Sequence, residues 1–331
     1  MPTMRAAVIT RPGDASVLEI RDVPQPQPGP GDVMVRVHAS ALNRADTLQR
    51  MGRYPPPPGA PTDIGGIEYA GEVARRGDGV IAWRVGDRVF GLADGGAHAE
   101  YVRVPAVHLA HFPGPLSFTD AAAIPEAFIT AHDALVTQCG MASGDHVLIT
   151  AVGSGVGTAG AQLARAFGAH AFGTTRSADK LERARALGVE AGLVVGADVA
   201  AVTDAVLAWT SGAGVQVAMD LLGGPYAAAA IRALAPRGRL ILGGLLAGAE
   251  VPFPRDVLLR KRLTMRGTML RIRSVDEKAA ATAAFVRDVV PLVARGAVCP
   301  VVDRVVPFAE IADAHRAMEA GEPFGKIVLT W

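Results

Sequence analysis

Two kinds of hydrophobic pattern divide the chain. In the first third, Val33, Val35 and Val37 recur at every second position, and this period of two predicts a β-strand. Further short strands, separated by Gly-Asp and Asp-Gly turns, are predicted around 69–75, 87–91 and 99–104. Several short strands at such close spacing indicate a barrel-like β module.

From His146 onward, apolar runs alternate with segments of helical spacing. The predicted strands are 146–151, 170–174, 215–221 and 239–242. The predicted helices between them are 156–167, 180–187 and 226–234. Buried strands joined by helices of this length indicate an α/β fold with a doubly wound parallel sheet. Outside this region, helices are predicted over 125–138, 276–294 and 310–319, with a strand over 301–307.

Composition and charge narrow the class of protein. The chain has 331 residues, and its 33 basic and 32 acidic side chains give a net charge of +1. This balance offers no reason to expect nucleic acid or a membrane surface as partner. Two cysteines cannot build a disulfide framework or a Cys-rich zinc site. Arg5 and Arg11 interrupt any signal-peptide pattern. We therefore expect a soluble, cytoplasmic protein.

A glycine-rich segment separates the first strand of the α/β region from its first helix. Gly155-x-Gly157-x-x-Gly160 fits the spacing of a dinucleotide-binding loop, although Gly153 leaves the register open. Small residues let the backbone approach a pyrophosphate, and the helix N-terminus offers free N–H groups to it. We expect cofactor contacts from Gly153, Ser154, Gly155, Val156 and Gly157. The alternative is a merely tight turn, but the order strand, motif, helix and strand favours the binding site.

The end of the second strand indicates which dinucleotide binds. An NAD site usually places Asp or Glu about 20 residues after the motif, where it accepts hydrogen bonds from the ribose 2′-hydroxyl. Here that region carries Thr174, Thr175 and Arg176, followed by Lys180. Hydroxyls and cations suit a 2′-phosphate, so the sequence predicts NADP(H). The alternative is that Arg176 and Lys180 are ordinary solvated residues.

These residues carry a family resemblance over nearly the whole chain. Its most specific segments are 40–46, 52–54, 122–127, 154–159 and 325–329. The sequence resembles the zinc-independent medium-chain dehydrogenase/reductases, in particular the quinone oxidoreductase branch that includes zeta-crystallin. The resemblance implies a GroES-like β-barrel catalytic domain at 1–125 and 268–331 and a Rossmann NADP(H)-binding domain at 126–267. It also implies an active site in the interdomain cleft, and homodimers or homotetramers that pair through the sheet edge near 263–268.

The zinc-dependent relatives offer a contrast. They place a cysteine ligand where Asn43 stands and a histidine ligand near Ile67, so we expect no zinc here. Without a zinc ion as Lewis acid, we expect a substrate that accepts hydride readily. The resemblance thus predicts an NADPH-dependent reductase that transfers hydride from nicotinamide C4 to a hydrophobic quinone.

The resemblance also assigns roles to individual residues. Asn43 and Tyr54 would line the nicotinamide side of the cleft, and Tyr54 would give a proton to the reduced product. Ser154 is the third polar candidate for the chemistry. Further cofactor contacts are expected from Thr130, Gly243, Leu270 and Lys326. Alternatives remain for three of these residues: Tyr54 as packing for a proline loop, Ser154 as a helix cap, and Thr130 as a half-buried helix residue.

Two features of the sequence leave other functions open. Relatives carry a tyrosine for the 2′-phosphate after the third Rossmann strand, where this chain has only 193–196, Leu-Val-Val-Gly. Basic residues at 260–262, 266, 271 and 273 would either attract the phosphates of an acyl-CoA or form a solvated face. Reduction of an enone or enoyl thioester is therefore one alternative. A cofactor-binding protein with a non-catalytic role is another.

Overall fold

The computed structural model describes residues 2–114 and 116–331, which form two compact units. The first unit contains Met1–Ile129, Leu270–Arg295 and Cys299–Trp331. The second unit contains Thr130–Met269 and Gly296–Val298. The N-terminal and C-terminal parts of the chain thus share one unit, and the middle of the chain builds the other.

The elements follow in chain order. The strands are β1 (Thr3–Ile9), β2 (Leu18–Pro24), β3 (Asp32–Leu42), β4 (Glu68–Arg76), β5 (Arg88–Leu92), β6 (Tyr101–Pro105), β7 (Leu109–His111), β8 (His146–Ile149), β9 (His170–Thr175), β10 (Val189–Val194), β11 (Val215–Asp220), β12 (Leu234–Leu242), β13 (Thr264–Gly267), β14 (Val302–Pro307) and β15 (Lys326–Thr330). The helices are α1 (Arg44–Arg50), α2 (Phe118–Ala122), α3 (Pro125–His132), α4 (Gly155–Ala166), α5 (Ala178–Ala186), α6 (Ala201–Trp209), α7 (Pro225–Ala233), α8 (Arg255–Lys261), α9 (Val275–Asp288), α10 (Val290–Ala294) and α11 (Ile311–Ala320). Among the described residues, no helix is long and apolar enough to cross a membrane.

The first unit is built on a mainly antiparallel sheet. Its strand order is β14-β15-β3-β4-β5-β7, and β6 also pairs with β3. Val33, Val35 and Val37 of β3 face a buried apolar cluster, whereas Arg36 between them is exposed. The period of two therefore marked a real strand, and the β module predicted from the sequence is confirmed.

The second unit contains a parallel sheet of six strands. Its order is β10-β9-β8-β11-β12-β13, and every neighbouring pair is parallel. The strand order reverses between β8 and β11, which is the place where doubly wound sheets bind ligands beyond the carboxyl ends of their strands. Val147, Leu148 and Ile149 are fully buried, as expected for a central strand covered on both faces. The predicted Rossmann fold is confirmed.

Two helices differ from their predicted extents. The helix predicted over 125–138 is regular only to His132 and continues as a π-helical turn over Asp133–Gln138. The helix predicted over 276–294 is divided into α9 and α10. The break lies next to Pro291, which has no N–H to donate and whose ring crowds the preceding turn. Apolar spacing alone did not reveal either irregularity.

Candidate functional site

The glycine-rich loop in the second unit begins where β8 ends. Ala151 adopts a left-handed conformation with φ of +50°, which is costly for a residue with a Cβ. The backbone N–H of Gly157 donates to Ser154 Oγ at 3.1 Å, so Ser154 caps α4. A Cβ on Gly157 would lie 2.4 Å from the Ala151 carbonyl oxygen. The loop therefore holds a tight path that only glycine permits at position 157.

The structure also places the other glycines of the motif. A Cβ on Gly160 would lie 2.7 Å from Met219 Cε and 3.3 Å from Ile149 Cδ1, so Gly160 lets α4 pack closely on β8 and β11. Close helix–strand packing is the role of the third glycine in the motif. Gly155 and Val156 are the first two residues of α4, and Gly153 lies in the turn before it. The register Gly155, Gly157 and Gly160 fits the structure.

The turn from β9 to α5 carries the residues predicted to bind a 2′-phosphate. Thr174 is buried, and its hydroxyl has no hydrogen-bond partner among the residues that the structure describes. Thr175 Oγ1 accepts from the Ser177 N–H at 3.3 Å, and Ser177 caps α5 by accepting from the Lys180 N–H. Arg176 is exposed, and Lys180 lies in the first turn of α5. The structure thus brings hydroxyls and cations together at the end of the strand beside β8.

A buried carboxylate fixes the neighbouring strand ends. Asp220, the last residue of β11, is fully buried and accepts from Thr150 Oγ1 at 2.8 Å. It also accepts from the N–H groups of Leu222 at 3.0 Å and Gly223 at 3.1 Å. The Gly243 N–H donates to the Asp220 carbonyl at 2.8 Å. Burial raises the pKa of Asp220. This residue was missed from the sequence, although an Asp closing a buried strand was a usable signal.

In the first unit, three polar residues from distant segments meet. Lys326 Nζ donates to Asn43 Oδ1 at 2.6 Å and lies 2.5 Å from Glu68 Oε1. Asn43 Nδ2 donates to Glu68 Oε1 at 2.8 Å, and the Glu126 N–H donates to Glu68 Oε2 at 2.8 Å. Glu68 is fully buried and Lys326 is 4% exposed. The two candidates Asn43 and Lys326 are thus joined, and Glu68 is the third member of what we call the Asn43–Glu68–Lys326 cluster.

Tyr54 lies beside a buried arginine. The Arg271 guanidinium carbon is 5.4 Å from the centre of the half-buried Tyr54 ring. Arg271 Nε and Nη2 donate to the Asp94 carbonyl at 3.0 and 2.8 Å, and Nη2 donates to Gln49 Oε1 at 2.6 Å. Arg271 is 6% exposed, so placing it on a solvated basic face was wrong. Partners remote in sequence bury it.

The remaining candidates occupy separate places in the two units. Leu270 is buried beside Arg271 in a short 3₁₀ turn of the first unit. Thr130 is half-buried on α3 and begins the second unit. Within residues 2–114 and 116–331, no group of three or more His, Cys, Asp or Glu side chains could hold a metal ion.

A buried histidine near α1 has a fixed protonation state. His315 is 1% exposed, and its Nδ1 lies 3.3 Å from Arg50 Nη1. Because arginine only donates, His315 must accept at Nδ1 and carry its proton on Nε2. Burial, His98 and Arg50 hold the pKa of His315 well below its usual value. His315 is therefore neutral in the folded protein.

This neutrality predicts a loss of stability in acid. In the unfolded chain, His315 has a pKa of about 6.5 and binds a proton below that pH. In the folded protein it stays neutral, so acid favours the unfolded state. The free energy of unfolding should be highest above that pH and should fall by up to about 1.4 kcal/mol per pH unit as the pH drops further. Urea unfolding between pH 7.5 and 5 measures this slope. His315→Gln should make the slope smaller, leaving the part that comes from His98 and His108, whose pKa values burial also lowers. The same change at exposed His111 should leave the slope as in the wild type.

Known sequences and structures are similar to this chain throughout. The alcohol dehydrogenase GroES-like domain matches residues 29–114, and the zinc-binding dehydrogenase domain matches residues 189–329. The synaptic vesicle membrane protein VAT-1 homolog of Rattus norvegicus is 32% identical over 99% of this chain and 84% of its own length. A mycocerosic acid synthase-like polyketide synthase of Mycobacterium tuberculosis is 32% identical over 97% of this chain, which spans only 15% of that protein.

Solved structures agree with these matches. A structure of a mycobacterial quinone oxidoreductase superposes with a TM-score of 0.86, and a structure of a mycobacterial protein in complex with NADPH superposes with a TM-score of 0.88. Each is 29% identical and covers 99% of this chain and 100% of its own. The GroES-like fold, the Rossmann fold and the glycine-rich loop are the features that these matches lead one to expect. The chain therefore belongs to the medium-chain dehydrogenase/reductase family of oxidoreductases.

Proposed function

We propose that this oxidoreductase is a zinc-free, NADPH-dependent quinone reductase of the quinone oxidoreductase branch, which includes zeta-crystallin and the p53-inducible enzymes. The observation that carries the proposal is the Asn43–Glu68–Lys326 cluster. Asn43 stands where zinc-dependent relatives place a cysteine, and the Lys326 ammonium already neutralises Glu68. An asparagine amide, a lysine ammonium and a carboxylate that is already paired with that ammonium do not make a zinc ligand set. A substrate that needs no Lewis acid, such as a quinone, suits this donor set.

The second unit fits a dinucleotide. The Ala151–Gly157 path, which a Cβ would block, and the N-terminus of α4 suit a pyrophosphate. The unpartnered Thr174 hydroxyl, Thr175, Arg176 and Lys180 suit a 2′-phosphate. NADPH, when bound, supplies the hydride for the reaction. The NADPH complex of the mycobacterial relative supports this assignment.

The cofactor preference has a direct test. We expect NADPH to bind at least about tenfold more tightly than NADH, because Arg176 and Lys180 offset the charge of the 2′-phosphate. Arg176→Ala should raise the Kd of NADPH and leave that of NADH unchanged. Arg185→Ala, at an exposed position later on α5, is the matched control and should change neither. Fluorescence titration gives the constants, and equal affinities of the wild-type protein for the two cofactors would contradict the preference.

Tyr54 is the proposed proton donor. A quinone that receives a hydride becomes a hydroquinone anion, and one proton completes the product. Tyr54 is half-buried, and its hydroxyl has no hydrogen-bond partner among the described residues, so the hydroxyl is available to donate. Asn43 and Ser154 are the other polar groups that we assign to the site. Ser154 also caps α4, so its role in binding is combined with a structural one.

The activity is tested by following NADPH oxidation with an ortho-quinone and with a para-quinone. We expect turnover of at least one of them, and Tyr54→Phe should lower kcat by about tenfold or more. No turnover of either quinone by the wild-type protein would refute the proposal. A kcat that Tyr54→Phe leaves unchanged would remove the proton-donor role alone.

A second candidate activity is reduction of the activated double bond of an enone or an enoyl thioester. The similarity to a polyketide synthase over 97% of this chain favours it. Tyr54 would serve this reaction equally well, because a reduced enone or thioester also needs one proton. Crotonyl-CoA is the substrate that distinguishes the two activities.

We further propose a homodimer or homotetramer that pairs through β13. This strand ends the sheet of the second unit, and Thr264, Arg266 and Gly267 on it are exposed. Two exposed apolar side chains flank it, Leu259 (74% exposed) and Met269 (45% exposed). An unpaired strand edge with apolar neighbours favours pairing with a second copy. Light scattering should give at least twice the 34.2 kDa chain mass, and a mass of one chain would contradict the proposal.

A further inference from the structure

Arg271 is a buried cation that no carboxylate within residues 2–114 and 116–331 pairs with directly. Its guanidinium donates only to uncharged oxygens, the carbonyl of Asp94 and the side-chain amide of Gln49. The Asp94 carboxylate is bound instead to Lys278, which is also buried. A charge so deeply buried is costly unless a negative group compensates it at some stage. The carboxylates of Asp46, Asp94 and Glu126 lie near enough to favour the charged form of Arg271, but none of them forms a direct ion pair with it.

One N–H group of Arg271 is also unused. Nη1 is buried and has no hydrogen-bond partner in the part of the chain that the structure describes, whereas Nε and Nη2 are both bonded. Buried polar groups are nearly always hydrogen-bonded, so an exception in a candidate active site indicates a missing acceptor. An acceptor with negative charge would satisfy this nitrogen with a charge-assisted hydrogen bond.

Tyr54 is the nearby group that can become negative. Its ring centre is 5.4 Å from the Arg271 guanidinium carbon. Burial and the Glu126 carboxylate raise the pKa of Tyr54, and the Arg271 charge opposes them. The phenol thus lies between one anion that disfavours its ionisation and one cation that favours it.

We propose that Arg271 is a positioning residue whose guanidinium stabilises the phenolate that Tyr54 becomes after giving its proton to the substrate oxygen. The inference rests on the proposed function. The Tyr54 O–H bond breaks, an O–H bond forms on the substrate, and the electron pair stays on the phenolic oxygen. The quinone gains two electrons with the hydride from NADPH, and NADPH becomes NADP⁺. A proton from solvent then restores Tyr54.

Titration of Tyr54 in the protein without cofactor or substrate tests this role. The difference in tyrosinate absorbance between wild type and Tyr54→Phe isolates this phenol among the four tyrosines. Arg271→Gln keeps an amide donor for the Asp94 carbonyl but removes the charge, and it should raise the pKa of Tyr54 by about one unit or more. Arg271→Lys keeps the charge and should raise it by less than half as much. Arg53→Gln, at an exposed neighbour, should leave it unchanged.

A pKa of Tyr54 that is the same in Arg271→Gln as in wild type overturns the proposal. Should that variant not fold, Arg271→Met decides, because it removes the charge but keeps an unbranched side chain of similar length in the buried site. The phenol should then titrate at least about one unit higher than in wild type, and an unchanged value overturns the proposal. No substrate enters these titrations, so absent quinone turnover would refute the proposed function and leave this result standing.

Discussion

Gly157→Ala is expected to raise the Kd of NADPH by about two orders of magnitude. The new Cβ would lie 2.4 Å from the Ala151 carbonyl oxygen and 2.8 Å from Val152 Cα, and both contacts are to backbone. Neither can be relieved by turning a side chain, so the loop between β8 and α4 must move. Each 1.4 kcal/mol of lost binding energy weakens affinity tenfold, and a misplaced pyrophosphate loop can lose about twice that. Fluorescence titration with NADPH measures the change.

Gly29→Ala is the matched control for this change. A Cβ at Gly29 would meet only Asp32 Oδ2, at 3.4 Å, and Gly29 lies in the other unit. It should bind NADPH as the wild type does. If Gly157→Ala folds and binds NADPH with unchanged affinity, the glycine loop is not the pyrophosphate site.

Glu68→Ala is expected to lower the free energy of unfolding by about 3–5 kcal/mol. The substitution removes the carboxylate that neutralises Lys326, which would remain as a buried ammonium without an anion. It also leaves the Glu126 N–H without its acceptor and the Asn43 amide with only the Ala41 carbonyl. Urea unfolding, followed by tryptophan fluorescence and circular dichroism, measures the loss.

Two further variants test whether the loss of stability is specific to the buried Glu68–Lys326 pair or follows from the loss of any ion pair. Glu19→Ala removes the carboxylate of the Glu19–Arg21 pair, in which both side chains are 52% exposed, and should cost less than about 1 kcal/mol. Glu68→Gln combined with Lys326→Met removes both buried charges and should recover most of the stability lost in Glu68→Ala. A loss in Glu68→Ala no larger than that in Glu19→Ala would show that the cluster does not hold the first unit together.

The features readable from the sequence are those set by local spacing. Gly157 and Gly160 lie at motif spacing, and both have the close backbone or helix contacts that the motif requires. Ser154 was recognisable as a possible helix cap, and it caps α4. Alternation in β3 and the apolar run of β8 gave the two kinds of sheet. Each of these features depends on residues that are close in the sequence, so a short stretch of sequence was sufficient to predict it.

The polar contacts of the first unit depend instead on residues far apart in the chain. Lys326 is 283 residues from Asn43, and Arg271 is 222 residues from Gln49. The sequence showed Arg271 only within a basic segment, which is typical of a solvated face. Its burial depends on where the chain returns to the first unit and on the carbonyl of Asp94. No local sequence pattern predicts contacts between residues so far apart in the chain.

The central claim is that the site reduces quinones with NADPH, and one comparison tests it most directly. The values of kcat/KM for an ortho-quinone and for crotonyl-CoA are measured with NADPH on the same preparation of wild-type protein. Our account predicts that kcat/KM for the quinone exceeds that for crotonyl-CoA by at least about tenfold, a difference of 1.4 kcal/mol in transition-state binding. A larger kcat/KM for crotonyl-CoA would contradict it and assign the protein to double-bond reduction.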